Sequence, residues 1–140
     1  MIQTKRIYSE ATSRDGVRIL VDRIWPRGIS KERARIVAWR RELAPTTALR
    51  KWYGHDPAKW VEFRRRYQKE LRRSLQLKVR HELARQTRSE RVTLLYSAAD
   101  DEHNQAVVLK DLLEKQARRR HKISHRSTSR KARRERISPK

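Results

Sequence analysis

Side chains suited to anion recognition follow directly after one apolar stretch of the chain. The stretch spans residues 17–21, and it is followed at once by Asp22, Arg23, Trp25 and Arg27. A guanidinium can hold a phosphate through two parallel hydrogen bonds, an aspartate can act as a general base, and an indole can stack on a base. Pro26 restricts the backbone of the residue before it, and Gly28 can adopt backbone conformations that other residues cannot. We therefore expect an ordered loop over residues 23–28.

Each of these side chains also has a purely structural interpretation. Asp22 is either a general base or organiser of a phosphate site, or the partner of Arg23 or Arg27 in a buried ion pair. The two arginines either capture an anion or lie on a solvated face. Trp25 either stacks on a ligand or anchors the loop in the core. The sequence leaves these alternatives open.

Four further candidates lie later in the chain. Arg50 and His55 occupy a loop-rich middle region, where they could complete an anion pocket, and Asp22 with His55 could form an acid-base pair. The alternative for His55 is a turn or capping residue. Tyr96 either contacts a ligand or packs with its hydroxyl bonded to a buried partner. Asn104 either contacts a ligand or caps the last helix.

The hydrophobic pattern predicts the elements that position these residues. Residues 17–21 and 92–98 are apolar and rich in β-branched side chains, which is typical of strands buried on both faces. A long helical excursion separates them, which favours a parallel pair joined by a crossover. Loops 23–28 and 98–104 should then meet at the edge of the sheet where ligands bind in α/β proteins. We therefore predict an α/β fold with a small, mostly parallel sheet of about three or more strands flanked by helices.

The remaining elements are predicted less directly. Residues 2–8 form a first strand, which is either an antiparallel neighbour of the second strand or not adjacent to it, because the connection is short for a parallel crossover. Ser30 as N-cap predicts a helix to about Leu43, since Ile36 and Trp39 share a helical face with Leu43.

Helix signals recur through the middle and the end of the chain. Thr46 or Thr47 caps a short helix ending near Trp52, and Asp56 followed by Pro57 starts another. We expect a bend near Ser74 and a further helix beyond it. A last helix follows residue 104, and its buried stripe comprises Ala106, Leu109 and Leu113.

Composition limits the classes of function. The chain has 140 residues, a net charge of +22 and no cysteine, which excludes disulfides, thiolate metal sites and a cysteine nucleophile. No apolar run has the length of a membrane span, so we expect a cytoplasmic protein without a membrane partner. There is no glycine-rich phosphate loop, serine nucleophile elbow or zinc-ligand spacing in the first 116 residues. We expect no metal or cofactor.

The positive charge is concentrated at the C-terminal end. Residues 117–140 contain 11 Lys and Arg and one acid, Glu135. Such a segment cannot bury enough apolar surface to fold, so we predict a domain over residues 1–116 followed by a disordered tail. The tail either binds nucleic acid or another polyanion through counterion release, or is only a solubilising extension. The candidate contacts are Arg118, Arg119, Arg120, Lys122, Arg130, Lys131, Arg133 and Arg134.

Several phrases in fixed order resemble a known bacterial family. They are LVDRIWPRG (20–28), APTTALRKW (44–52), GHDP (54–57), FRRRY (63–67) and TLLYSA (93–98), followed by Asn104. Together they are similar to the YeaO-like family, a group of unknown function, over residues 2–116. The resemblance implies a small α/β fold and no established reaction. A longer related branch has Cys-His-Arg where this chain has Glu102-His103-Asn104, so chemistry that needs that cysteine does not carry over.

These observations favour a binding protein for a phosphate-bearing ligand, a nucleotide or nucleic acid, with nonspecific polyanion binding by the tail. The alternative is a small hydrolase or transferase that acts on a nucleotide-like anion, with Asp22 and His55 as acid and base. A DNA-binding transcription regulator is a weaker alternative, because no helix-turn-helix pattern stands out and charge alone does not read sequence.

Overall fold

A parallel sheet of four strands forms the centre of the computed structural model, which describes residues 1–119. The strands are β1 (Ile2–Arg6), β2 (Val17–Leu20), β3 (Ala38–Trp39) and β4 (Val92–Tyr96), and their order across the sheet is β1-β4-β2-β3. Every pairing is parallel. The α/β fold with a small parallel sheet in a single domain is therefore confirmed.

Strand β4 lies between β1 and β2 and is buried along its whole length. It pairs with β1 from Ile2 opposite Val92, and with β2 from Val17 opposite the same Val92. All five of its residues are buried, as expected for a strand covered on both faces. The first two strands are therefore not neighbours, because β4 separates them.

Five helices accompany the sheet in the described part of the chain. They are α1 (Lys31–Ala34), α2 (Thr47–Tyr53), α3 (Trp60–Glu70), α4 (Ser74–Ser89) and α5 over residues 105–119. Short 3₁₀ turns occur at Ser13–Asp15, Arg41–Leu43 and Pro57–Lys59. The Thr46 side chain accepts a hydrogen bond from the Leu49 amide, and the Asp56 side chain accepts one from Ala58, so the predicted caps are present.

The two faces of the sheet bury different partners, as the period of a strand requires. Ile19 of β2 and Leu94 of β4 belong to the larger core, which contains side chains of α2 to α5. The neighbouring Leu20 and Leu95 belong to a smaller core, which also contains residues from the loop and the short helix that follow β2. The apolar stripe of α5 is buried in the larger core, as predicted, at Ala106, Leu109 and Leu113.

The predicted helix from Ser30 to Leu43 is wrong. Only Lys31–Ala34 is helical, and the turn ends at Arg35, whose φ of 48° is left-handed. The chain then runs along β2: the Val37 amide donates to the Arg18 carbonyl at 2.8 Å and the Arg40 amide donates to the Leu20 carbonyl at 2.9 Å. Tertiary pairing with an open sheet edge outweighed a weak helical pattern in a segment with adjacent β-branched residues.

A buried charge cluster fixes the start of β2. The Arg18 Nη1 donates to the Asp15 carboxylate at 2.6 Å, and Lys5 Nζ donates to the same carboxylate at 3.0 Å. Arg18 also donates twice to the Ala34 carbonyl. Between these charges Gly16 has a φ of 63°, and a Cβ there would lie 2.3 Å from the Arg91 carbonyl oxygen, so only glycine fits.

Helix α5 continues through residue 119, three residues beyond the domain boundary predicted at 116. That boundary and the disorder of the tail remain predictions. Of the tail candidates, Arg118 and Arg119 are exposed at the end of the described helix. The others lie outside the described residues: Arg120, Lys122, Arg130, Lys131, Arg133 and Arg134.

Candidate functional site

A cavity of about 120 Å³ lies where β2 and β4 end. Loop 23–28 contributes Arg23 and Ile24 to its wall, and loop 98–104 contributes Ala98, His103 and Asn104. The predicted convergence of these two loops is therefore confirmed. The wall is completed by Asp22, Pro45, Arg50, Tyr53, His55, Phe63, Ser97 and Gln105.

Asp22 joins three segments at the base of the cavity. Its side chain is 7% exposed. One carboxylate oxygen accepts a hydrogen bond from the Ser97 amide at 3.1 Å, and the other accepts one from Gln105 Nε2 at 2.5 Å. Burial raises the pKa of Asp22 above its usual 3.8, and the bonds from Ser97 and Gln105 and the nearby His55 oppose that rise only in part.

Arg23 is held by the backbone of the segment before α2. Its Nε donates to the Pro45 carbonyl at 2.7 Å, and its Nη2 donates to the Ala44 carbonyl at 3.3 Å. The guanidinium therefore ties the loop that follows β2 to the segment that precedes α2. Its Nη1 forms no hydrogen bond with the described residues, so the two N–H groups of that nitrogen remain for a ligand.

Arg50 and His55 lie on the exposed side of the cavity. Both side chains are exposed and both line the wall. The Arg50 guanidinium has no hydrogen bond or ion pair with any residue in the range 1–119. His55 has a φ of 57°, a left-handed conformation that follows the left-handed Gly54 at the end of α2, and its ring lies 6.2 Å from that of Tyr53.

Sequence reasoning missed His103, Tyr53 and Gln105. The His103 Nδ1 lies 2.9 Å from the Asp100 carboxylate, and its ring meets Trp60 edge to face at 5.2 Å. The Tyr53 hydroxyl donates to the His103 carbonyl at 2.9 Å. The Asp100–His103 spacing at a helix start was a readable signal, whereas nothing local distinguishes Tyr53 or Gln105.

Asn104 caps α5. Its Oδ1 accepts from the Val107 amide at 3.2 Å, and its Nδ2 donates to the Asp100 carbonyl at 2.9 Å. Burial raises the pKa of the nearby Tyr96, and Asn104 opposes that rise in part. Tyr96 does not line the cavity wall.

The structure places Trp25 and Arg27 away from the cavity. Trp25 donates through Nε1 to the Ile29 carbonyl at 2.9 Å and packs edge to face against Trp39 at 5.5 Å. It therefore anchors the loop in the smaller core. The exposed Arg27 accepts a hydrogen bond from the Tyr8 hydroxyl through its carbonyl, and its side chain is not part of the cavity wall.

Two further findings concern metals and membranes. Within residues 1–119, no three His, Asp or Glu side chains are grouped in a way that would hold a metal ion. No helix in the same range is long and apolar enough to cross a membrane.

Comparisons with known proteins identify the family. A family described as "Inactive DUF488-N3 subclade" matches residues 1–131. The uncharacterized protein YeaO of Escherichia coli is 43% identical over 112 residues, which cover 80% of this chain and 96% of YeaO. The uncharacterized proteins Mb3100c of Mycobacterium bovis and Rv3073c of Mycobacterium tuberculosis are each 39% identical over 80% of this chain and 92% of their own length. No solved structure matches the chain significantly. The chain therefore belongs to the YeaO-like family, within the DUF488-N3 group.

Proposed function

We propose that the protein binds a phosphate-bearing ligand, such as a nucleotide, in the cavity at the carboxyl ends of β2 and β4. The observation that carries this proposal is the Arg50 guanidinium, which lines the cavity without a partner among residues 1–119. A guanidinium in that state can form two charge-assisted hydrogen bonds to a phosphate at no cost to the fold.

The surrounding charges support an anion. Arg23 lines the wall and keeps both N–H groups of its Nη1 free. The first turn of α5 begins at Gln105, where helix N–H groups and the helix dipole favour negative charge. Asp22 is the one acid in the wall, and burial raises its pKa. His55 adds a positive charge when it is protonated.

The size of the cavity restricts what it can hold. A volume of about 120 Å³ is well below the roughly 300 Å³ at which pockets enclose a drug-sized ligand. It suits the phosphate group rather than a whole nucleotide. We propose that the remainder of the ligand lies over the mouth, beside Ile24, an apolar side chain that is 58% exposed.

A thermal-shift experiment tests this proposal. The full chain is heated with inorganic phosphate, nucleoside monophosphates and sugar phosphates, and the Arg50→Gln variant is compared with the matched control Arg27→Gln. A ligand at ten times its Kd stabilises the folded state by about 1.4 kcal/mol, which raises the Tm by roughly 4 °C. The shift should disappear in Arg50→Gln and persist in the control. Equal shifts in both variants would overturn the proposal.

We further propose that the basic tail contacts nucleic acid. The charge of residues 117–140 supports this proposal. Binding by counterion release depends on the charge of a segment rather than on the order of its residues. Replacing Arg130, Lys131, Arg133 and Arg134 by Gln should weaken binding to a DNA duplex and reduce its salt dependence. Scrambling residues 120–140 at constant composition should leave both unchanged. A loss of affinity on scrambling would contradict nonspecific binding.

Catalysis remains the alternative for the same cavity. The raised pKa of Asp22 and its electrostatic coupling to His55 favour an acid-base pair. The word "inactive" in the description of the matching family favours binding instead. Any ligand found by thermal shift can be incubated with the protein and followed by ³¹P NMR. Turnover lost in His55→Gln would support an enzyme, and an unchanged spectrum would support a binding protein. A DNA-binding transcription regulator remains the weaker alternative.

A further inference from the structure

A second, strongly basic depression lies far from the strand-end cavity, between the end of α3, helix α4 and helix α5. It has a volume of about 540 Å³ and shares no wall residue with the strand-end cavity. Its charged wall residues are Arg72, Arg80, Lys115 and Arg119. We call it the α4–α5 groove.

The positive charges of the groove are not neutralised. Its wall contains no Asp or Glu, and no ion pair within residues 1–119 includes any of its four cations. Two exposed arginines of α3 differ, because Arg65 and Arg66 both bind Glu62, at 2.6 and 2.9 Å. The groove is therefore a place where like charges are concentrated rather than paired.

The concentration of unpaired positive charge is least favourable at Arg80. Its Nη1 donates to the Leu71 carbonyl at 2.9 Å, while its buried Nε has no partner in the described part of the chain. Burial lowers the pKa of Arg80, and the neighbouring Arg72 lowers it further. A negative charge in the groove would offset both the desolvation and the repulsion.

The floor of the groove is polar as well as basic. The Gln116 side chain contacts His81 Nδ1 at 2.5 Å, and the buried Gln116 Oε1 has no partner among residues 1–119. The wall also contains Leu77 and Leu112, but an unsatisfied buried oxygen favours a hydrated occupant over an apolar helix or peptide.

The chain that follows argues against self-occupancy. Beyond Arg119, residues 120–140 contain nine Lys and Arg and a single Glu. This segment would repel the groove, so the occupant is an external anion. A polymer carries several phosphates and can meet several of the groove's four cations at once, which a single phosphate cannot.

We propose that the α4–α5 groove binds the phosphodiester backbone of a nucleic acid. Arg72, Lys115 and Arg119 contact phosphates from the rim, and the half-buried Arg80 supplies a fixed positive field from below. Such contacts fix the position of a nucleic acid without reading its sequence. This site is independent of the phosphate cavity at the ends of β2 and β4.

The test compares two double variants of the full chain that lose the same charges. Arg72→Gln with Lys115→Gln removes two exposed cations from the groove, and Lys78→Gln with Arg85→Gln removes two exposed cations from α4 outside it. Binding of a labelled DNA duplex, an RNA duplex and a single strand is followed by fluorescence anisotropy as a function of salt. Far-UV circular dichroism verifies that both variants fold.

We expect the groove variant to lose about tenfold in duplex affinity and about 1.8 units of the slope of log K against log salt, close to 0.9 for each contact removed. The control variant should lose much less of both. Equal losses in the two variants would overturn the proposal, because they would show an effect of net charge alone. The Arg27→Gln variant, which loses one exposed cation outside both the groove and the cavity, should bind like the wild type. Preference for one of the three probes would identify the nucleic acid.

Discussion

Gln105 at the start of α5 donates a hydrogen bond of 2.5 Å to Asp22 at the end of β2, across 83 residues of sequence. The second oxygen of Asp22 accepts from the Ser97 amide, just after β4. One buried carboxylate thus joins two neighbouring strands and a helix at the base of the cavity. Its first role is to hold the site together, whatever the site binds.

This role predicts different effects for two substitutions of Asp22. In Asp22→Asn the new amide can still accept from Ser97 and can donate to Gln105 once the Gln105 amide rotates, so we expect little loss of stability. In Asp22→Ala both half-buried donors lose their acceptor, which should cost about 1 kcal/mol each. Urea denaturation of the three proteins measures the difference. Equal losses in the two variants would contradict a role as acceptor.

The raised pKa of Asp22 predicts a pH dependence of stability. A group whose folded-state pKa exceeds its unfolded value stabilises the fold most below the unfolded pKa, and this contribution is lost as pH rises through the folded pKa. As the pH rises from 4 to 7, the wild type should therefore lose unfolding free energy relative to Asp22→Asn. Denaturation at a series of pH values measures it. A shift toward the wild type would show that the pKa is lowered instead.

Arg23 should be sensitive to a substitution that retains its charge. Its guanidinium bridges the Ala44 and Pro45 carbonyls, and a lysine ammonium lacks the planar fork for that geometry. We expect Arg23→Lys to lose about 1 kcal/mol in a urea denaturation experiment. The exposed Arg27→Lys serves as the control and should be neutral. An unchanged stability of Arg23→Lys would assign this arginine to the ligand rather than to the loop.

The charge cluster below β2 should be far more sensitive. Asp15 and Arg18 have side chains only 3% and 5% exposed, and Asp15→Asn would leave the Arg18 charge buried without its partner. Removal of one member of such a pair typically costs about 3–5 kcal/mol. Thermal unfolding measures the loss, and Glu62→Gln, which breaks two exposed ion pairs, should change the Tm little. Similar Tm values for both variants would mean that the cluster contributes no more than a surface pair.

The sequence could predict the elements whose signals are local. Residues 17–21 and 92–96 are predominantly apolar runs, interrupted only by Arg18 and Thr93, and burial on both faces of a sheet is what such runs require. Thr46, Asp56 and Asn104 occupy positions that helix capping favours. The parallel pairing of β2 and β4 followed from the helical segment between them, and it brought Asp22 to the same edge as loop 98–104.

Only the tertiary structure decided which of these side chains meet. Residues 36–39 have a partly helical pattern but pair with β2, because an open strand edge satisfies their backbone groups. Trp25 and Arg27 follow Asp22 closely, yet the loop turns them away from the cavity. Gln105 and Tyr53 enter the site without a local signal, since contacts across many residues depend on how helices cross the sheet. Sequence patterns thus determined β1, β2, β4 and the family, and packing determined β3 and the composition of the site.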